Sequence, residues 1–175
     1  FLDSSGFGNV ATGDTCPIVP TRGLRGQAAE FNGTQDCTLG GTIFPNLVFN
    51  ETAFTWSLWL KPTGGETHPQ GVVGNYLSYR TTADNNLDYE DDLWARSSYP
   101  SLFRVGNALR FGFGAGDHWE YVDTGDVLTR DAWNHVVVTF GPIYDEDNNF
   151  LRNEVNIYVD NEQVKSQGVG ETAPQ

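Results

Sequence analysis

The stretch Phe54-Thr-Trp-Ser-Leu-Trp-Leu-Lys-Pro62 and the later stretch Trp133-Asn-His-Val-Val-Val-Thr-Phe140 decide the fold class of this 175-residue chain. In both, apolar side chains recur at every second position, which is the pattern of a half-buried antiparallel strand. The same alternation returns at residues 109–113 and 155–159. Gly, Asn, Asp and Pro cluster between these stretches, and Asp160-Asn161 suits a tight hairpin.

These strands predict an all-β fold, an antiparallel two-sheet sandwich of the jelly-roll type. The length fits a single domain that covers residues 1–175. Three irregular segments interrupt the alternation, at residues 3–26, 81–101 and 141–153. Because irregular segments on a sandwich usually carry its function, we expect ligands to bind there.

Six segments follow one another along the chain: Asp3-Ser-Ser-Gly-Phe-Gly-Asn9, Gly26-Gln-Ala-Ala-Glu-Phe-Asn-Gly-Thr34, the stretch 54–62 quoted above, Leu109-Arg-Phe-Gly-Phe-Gly114, the stretch 133–140 quoted above, and Ile157-Tyr-Val-Asp160. In this order they resemble the laminin-G-like, concanavalin A-like lectin/glucanase jelly rolls of large secreted proteins, bacterial ones especially. The resemblance covers most of the chain. It implies the fold far more strongly than it implies a ligand.

The two ends of the chain depart from that family. Its members usually open with a strand before the Asp-Ser-Ser-Gly segment and close with a strand of Ile-Asp-Glu-Val type. This chain starts at Phe1 and stops at Gln175 without them. We therefore expect the terminal strands to be missing, and a strand or neighbouring domain from the same parent protein or another subunit to pair with the exposed sheet edge.

Charge excludes two classes of partner. Lys and Arg number 10 against 23 Asp and Glu, a formal net charge of −13. Nucleic acids and anionic lipid surfaces both need clustered cations, so neither is expected to bind. The longest apolar runs are only a few residues, which predicts no membrane insertion.

The two cysteines, Cys16 and Cys37, predict a disulfide, and with it an extracellular or cell-surface location. Two buried free thiols are the alternative. Asn32 and Asn50 open glycosylation sequons, which matter if the source is eukaryotic.

Calcium is the predicted cofactor. Asp3, Gly8 and Asn9 offer a carboxylate, a flexible main-chain carbonyl and an amide within one turn, and calcium favours such hard oxygen ligands. The family resemblance also favours calcium at this segment. Ordinary turn chemistry with solvated acids is the alternative. Asp145-x-Asp147-x-Asn149 has the opening spacing of an EF-hand loop but lacks its later glycine and glutamate.

Candidate carbohydrate-binding residues are the aromatic side chains of the loops and strand ends, since a sugar ring stacks its apolar face on an aromatic ring. They are Tyr89, Trp94, Tyr99 and Trp119. The alternative is that these rings only pin long loops to the sandwich. Trp59 faces away from Trp56, on the same side as Ser57 and Lys61.

Enzyme signatures are weak. Jelly-roll glucanases carry Glu-x-Asp-x-x-Glu on one strand, and the chain has no such motif. The resemblance makes the segment around Trp133 and His135 a structural strand start. His135 is also expected to have no nearby Ser or Cys partner to act as its nucleophile.

We therefore interpret the chain as a non-catalytic extracellular module for binding or adhesion, which recognises a glycan or a surface protein. A structural spacer or assembly domain of a large surface protein or filament is the alternative. A jelly-roll glycosidase comes third.

Overall fold

Every regular element that the structure, a computed structural model, describes is a β-strand. The described residues are 11–12, 20–31, 38–39, 53–64, 70–74, 100–114 and 119–169. The first strands are β1 (Ala11–Thr12), β2 (Pro20–Arg22), β3 (Gln27–Ala29), β4 (Thr38–Leu39), β5 (Phe54–Leu60) and β6 (Gln70–Gly74). They are followed by β7 (Ser101–Val105), β8 (Ala108–Gly114), β9 (Trp119–Asp126), β10 (Asn134–Tyr144), β11 (Phe150–Val159) and β12 (Glu162–Val169).

The chain divides into two compact units, Phe1–Pro45 and Asn46–Gln175. In the first unit, β1 pairs antiparallel with β4, and β2 pairs antiparallel with β3. The β2–β3 turn closes with a hydrogen bond from the Gly23 amide to the Gly26 carbonyl (3.0 Å). Gly26 has a φ of +73°, a conformation that glycine adopts without steric cost. Assignment of residues 1–175 to one domain stays a prediction.

The second unit contains two four-stranded antiparallel sheets. The long sheet has the strand order β12-β11-β10-β5, and the short sheet has the order β6-β7-β8-β9. This arrangement confirms the predicted all-β fold with two antiparallel sheets. The two-residue turn between β11 and β12 has φ values of 51° at Asp160 and 72° at Asn161, as a type I′ hairpin requires.

The core lies between the two sheets, because each sheet turns its alternate apolar residues toward the other. Val136, Val138, Val155 and Ile157 of the long sheet are fully buried. From the short sheet, the Phe111 ring lies within 6.2 Å, centroid to centroid, of four aromatic rings. They are Phe54, Trp56, Phe113 and Phe140.

Asn134, the first residue of β10, is a fully buried polar residue at the end of this core. Its Oδ1 accepts the Thr129 amide (2.8 Å). Its Nδ2 lies within hydrogen-bond distance of the carbonyls of Leu60 (3.3 Å), Thr129 (3.0 Å) and Ala132 (2.8 Å). Asn134 thus ties the loop before β10 to the end of β5.

The interpretation of residues 141–153 as a long irregular segment is wrong. β10 continues to Tyr144 and β11 begins at Phe150, so the loop contains five residues, 145–149. The Asp145 carboxylate organises this loop: it accepts the amides of Asp147 (3.0 Å) and Asn149 (2.7 Å) and the Asn149 side chain (3.0 Å). Local bonds of this kind close a turn without help from the rest of the fold.

Candidate functional site

The outer face of the long sheet carries an aromatic and polar surface. Successive side chains of a strand point to opposite faces, so residues that alternate with the buried core point outward. In β5 the outward residues Thr55, Ser57 and Trp59 are all exposed. We call this outer face of the long sheet the Trp59 face, and the residues on it that concern us are Ser57, Trp59, His135, Glu154, Asn156, Tyr158 and Gln163.

Trp59 is the exposed aromatic platform of this face. It pairs directly with His135 across β5 and β10, and the two rings stack with centroids 4.9 Å apart and planes 28° apart. About half of Trp59 (49 %) remains exposed. The His135 ring therefore supports the indole while leaving surface for a ligand.

His135 is itself held from two sides. Its Nε2 lies 2.9 Å from the Ser57 hydroxyl oxygen. Its main-chain amide donates to the Asp160 carboxylate (2.8 Å), and its carbonyl accepts the Asp160 amide (2.9 Å). The argument that His135 has no Ser partner is wrong, because the sheet places Ser57, 78 residues earlier in the chain, against its ring.

This Ser–His contact differs from a catalytic triad in the group that the nearby carboxylate bonds. A triad carboxylate bonds the imidazole Nδ1 and so orients the base. Asp160 instead bonds the main-chain amide of His135. The contact holds the His135 ring in its stacked position against Trp59.

A hydrogen-bonded row of polar side chains extends the Trp59 face across β11 and β12. Arg152 Nη2 donates to Glu154 Oε2 (3.1 Å), and Asn156 Nδ2 donates to Glu154 Oε1 (3.2 Å). Gln163 Nε2 donates to Asn156 Oδ1 (2.9 Å). Arg152 lies flat across Gly168, where an added Cβ would come within 2.5 Å of its Cδ. The row presents fixed donors and acceptors on the same face of the sheet as Trp59, two to three strands away from it.

A second exposed aromatic residue lies on the outer face of the short sheet. Tyr121 in β9 is 50 % exposed, and the guanidinium carbon of Arg110 lies 4.7 Å from its ring centroid. Arg110 donates to Asp123 Oδ2 from Nε (3.0 Å) and from Nη2 (2.6 Å). Burial raises the pKa of Asp123, but the hydrogen bond from the Gly125 amide and the bonds and charge of Arg110 outweigh it. The net effect is a lowered pKa.

Asp145, which belongs to the EF-hand-like spacing, serves its own loop. The bond from the Asn149 side chain, with the amides of Asn149 and Asp147, lowers the pKa of Asp145. Within the part of the chain that the structure describes, no group of three or more His, Cys, Asp or Glu side chains is placed to hold a metal. The predicted calcium ligands Asp3, Gly8 and Asn9 lie outside the described residues.

Most of the other predicted site residues also lie outside the described residues. They are the aromatic residues Tyr89, Trp94 and Tyr99, the sequon residues Asn32 and Asn50, and the cysteines Cys16 and Cys37. Trp119 begins β9, where its backbone pairs with Gly114, but its side chain is outside the described set.

The pairing of β1 with β4 bears on the predicted disulfide. Thr12 pairs with Thr38, which follows Cys37 directly in the chain, and Cys16 comes shortly after Thr12. The cysteines themselves lie outside the described residues, and the Cys16–Cys37 disulfide stays a prediction.

Comparison with known families identifies the class of protein. Residues 33–175 match a laminin G family model that is described as the concanavalin A-like lectin/glucanases superfamily. The chain belongs to this family, which confirms the resemblance and the jelly-roll fold class. Neither a curated protein nor a solved structure was found to match the chain.

Membership of this family fits a binding module in general. Its laminin-G-like domains are generally non-catalytic and typically extracellular, although the superfamily includes glycosidases. Among the described residues, no helix is long and apolar enough to cross a membrane.

Proposed function

We propose that this chain is a non-catalytic, glycan-binding module of an extracellular or cell-surface protein, and that the glycan binds to the Trp59 face. The observation that carries the proposal is the half-exposed Trp59 ring, stacked on His135, on the same sheet face as a row of polar side chains. Sugar rings combine apolar faces, which stack on indole, with hydroxyls that bond to amides and carboxylates.

Charge points to a neutral glycan. The cation of the polar row, Arg152, is already engaged by Glu154. The chain as a whole carries a net charge of −13. An acidic sugar would be repelled by this surface, whereas the hydroxyls of a neutral sugar match the amides of Asn156 and Gln163.

Binding is favoured over hydrolysis by the state of the carboxylate on this face. A glycosidase needs two carboxyl groups that flank the scissile bond, one of them free to donate a proton. Both carboxylate oxygens of Glu154 already accept hydrogen bonds on this face, from Arg152 and Asn156. The Ser57–His135 contact lacks an acid on the imidazole among its described bonds.

The proposal also takes in the residues outside the described set. Tyr89, Trp94, Tyr99 and Trp119 are candidates for further sugar contacts from the loops and strand ends. A calcium ion held by Asp3, Gly8 and Asn9 would support the entry segment. The partner is an extracellular glycan or a glycosylated surface protein.

The test is a screen of a printed glycan array, followed by calorimetry with the strongest neutral oligosaccharide. Trp59→Ala should weaken binding by about tenfold or more, since it removes the stacking surface. Tyr144→Ala is the matched control, because Tyr144 is similarly exposed (43 %) but lies at the far end of β10. Unchanged affinity in Trp59→Ala would contradict the proposed site. Failure to bind any glycan would favour the spacer or assembly role.

A further inference from the structure

We infer that Tyr121 forms a second glycan platform on the opposite side of the sandwich, so that one molecule bridges two glycan chains. The inference rests on the proposed function and goes beyond it, because it assigns a second site and a bridging role. It is carried by the likeness between the surroundings of Tyr121 and those of Trp59.

The two platforms have the same construction. Each is an aromatic ring about half exposed, 49 % for Trp59 and 50 % for Tyr121. Each has a planar nitrogen-containing group packed against it, the His135 ring at 4.9 Å and the Arg110 guanidinium at 4.7 Å. Such support holds a ring in place, so less conformational freedom is lost when a ligand binds.

In each platform the supporting group is anchored by the neighbouring strand. Ser57 holds His135 from β5, and Asp123 holds Arg110 from β9. Asp123 is fixed in turn, because its Oδ1 accepts the Gly125 amide (2.8 Å). Its lowered pKa preserves the Arg110–Asp123 ion pair to a lower pH than an ordinary aspartate would allow.

The accessible surface around Tyr121 is narrow. Gly112, the residue paired with Tyr121 on β8, is buried. Further across the short sheet, Ser101 and Phe103 are buried. A ligand is therefore confined to the exposed ring of Tyr121 and the Arg110–Asp123 pair next to it.

The two platforms face in opposite directions. Trp59 alternates with the core residue Trp56, and Tyr121 is followed by the fully buried Val122, so both rings point away from the core. The sheets between them pack about 10 Å apart. A single flat glycan surface therefore cannot contact both rings. Two separate glycan chains or glycan surfaces can.

Agglutination of coated beads tests this inference. The full chain, shown to be monomeric by sedimentation, is mixed with beads that carry laminarin, yeast mannan, xylan or chitin oligosaccharide. We expect agglutination on at least one coating. Tyr121→Ala should lower the agglutination titre by about tenfold or more, because bridging needs both sites. Its affinity for a single immobilised layer should change by no more than about twofold, because distant sites act independently.

Two control variants isolate the effect. Tyr121→Phe keeps the ring and should agglutinate as the unaltered protein does. A variant that had lost its fold would also bind the immobilised glycan layer more weakly. Tyr144→Ala removes an equally exposed ring elsewhere and should also leave the titre unchanged. Two results would overturn this inference and leave the proposed function standing. One is agglutination by Tyr121→Ala at the unaltered titre. The other is binding without agglutination by the unaltered protein. If no coating binds, the proposed function fails together with it.

Discussion

The buried amide of Asn134 allows a stability prediction whose size follows from its hydrogen bonds. Asn134→Ala removes one bond to Oδ1 and the bonds of Nδ2, whose two hydrogens are shared among three carbonyls. Three bonds at about 1 kcal/mol each predict a loss of about 3 kcal/mol in the free energy of unfolding. For a chain of this size, that corresponds to a fall in Tm of about 6–12 °C.

Urea unfolding followed by tryptophan fluorescence would measure this loss. Asn149→Ala is the matched control: it also removes an amide bond, to Asp145, but at an exposed position. We expect it to cost less than about 0.5 kcal/mol. Asn134→Asp has the same shape, yet it turns an oxygen toward three carbonyls. It should therefore destabilise at neutral pH and recover in part on acidification, when the protonated acid can donate one bond.

A loss below about 1 kcal/mol in Asn134→Ala would refute this reasoning. It would mean that water replaces the amide at the loop carbonyls without cost. An equal loss in Asn149→Ala would refute it differently, because burial would then not be what makes the Asn134 bonds valuable.

Three further predictions concern charge, covalent links and metal. Asp123 has a folded-state pKa below its ordinary value of 3.8, so its stabilising effect is present above that value and fades as the pH falls through the folded pKa. Asp123→Asn should therefore lower the Tm at pH 7, and the Tm difference from the unaltered protein should shrink when melting is measured in acid. A Cys16–Cys37 disulfide would close a loop of about 20 residues and stabilise by roughly 3 kcal/mol; non-reducing peptide mapping that recovers both as free thiols would rule it out. Calcium bound through Asp3 and Asn9 at a hundredfold excess over Kd would stabilise by about 2.7 kcal/mol, and equal Tm values in calcium and in chelator would exclude it.

Strands β5, β8, β10 and β11 could be predicted from sequence because apolar side chains recur along them at every second position. In β10, Val136 and Val138 alternate with His135 and Val137, and the structure buries the first pair while leaving the second partly accessible. Solvent on one side and core on the other impose the period of two directly. For the same reason, alternation alone places Trp59 on the face of β5 opposite to Trp56.

The end of β10 could not be predicted, because Gly141 and Pro142 interrupt a strand pattern. In the structure Pro142 pairs with Asn153, beyond Phe140, where the pairing of β10 with β5 ends. A proline is tolerated at such an edge position, since the missing amide has no ladder bond to make on that side. Sequence shows the proline but not where the neighbouring strand stops.

The sequence also could not predict the grouping of residues on the Trp59 face, because that grouping depends on which strands are neighbours. Alternation assigns Ser57 and His135 to outward positions but gives no register between strands 78 residues apart. A shift of one pair would separate Trp59 from His135. The prediction therefore concentrated on the loops and interpreted His135 as part of a strand start only.

The location of the Trp59 face on strands rather than loops affects how its specificity could evolve. A loop site can change through insertions and deletions, whereas an added residue in β5 or β10 would turn core side chains outward. New specificities must arise from single substitutions at outward positions such as Ser57, Asn156 and Gln163. Each of these can change without disturbing the buried residues behind it. Descendants of this protein should therefore keep their strand lengths and diverge on the outer surface of the sheet.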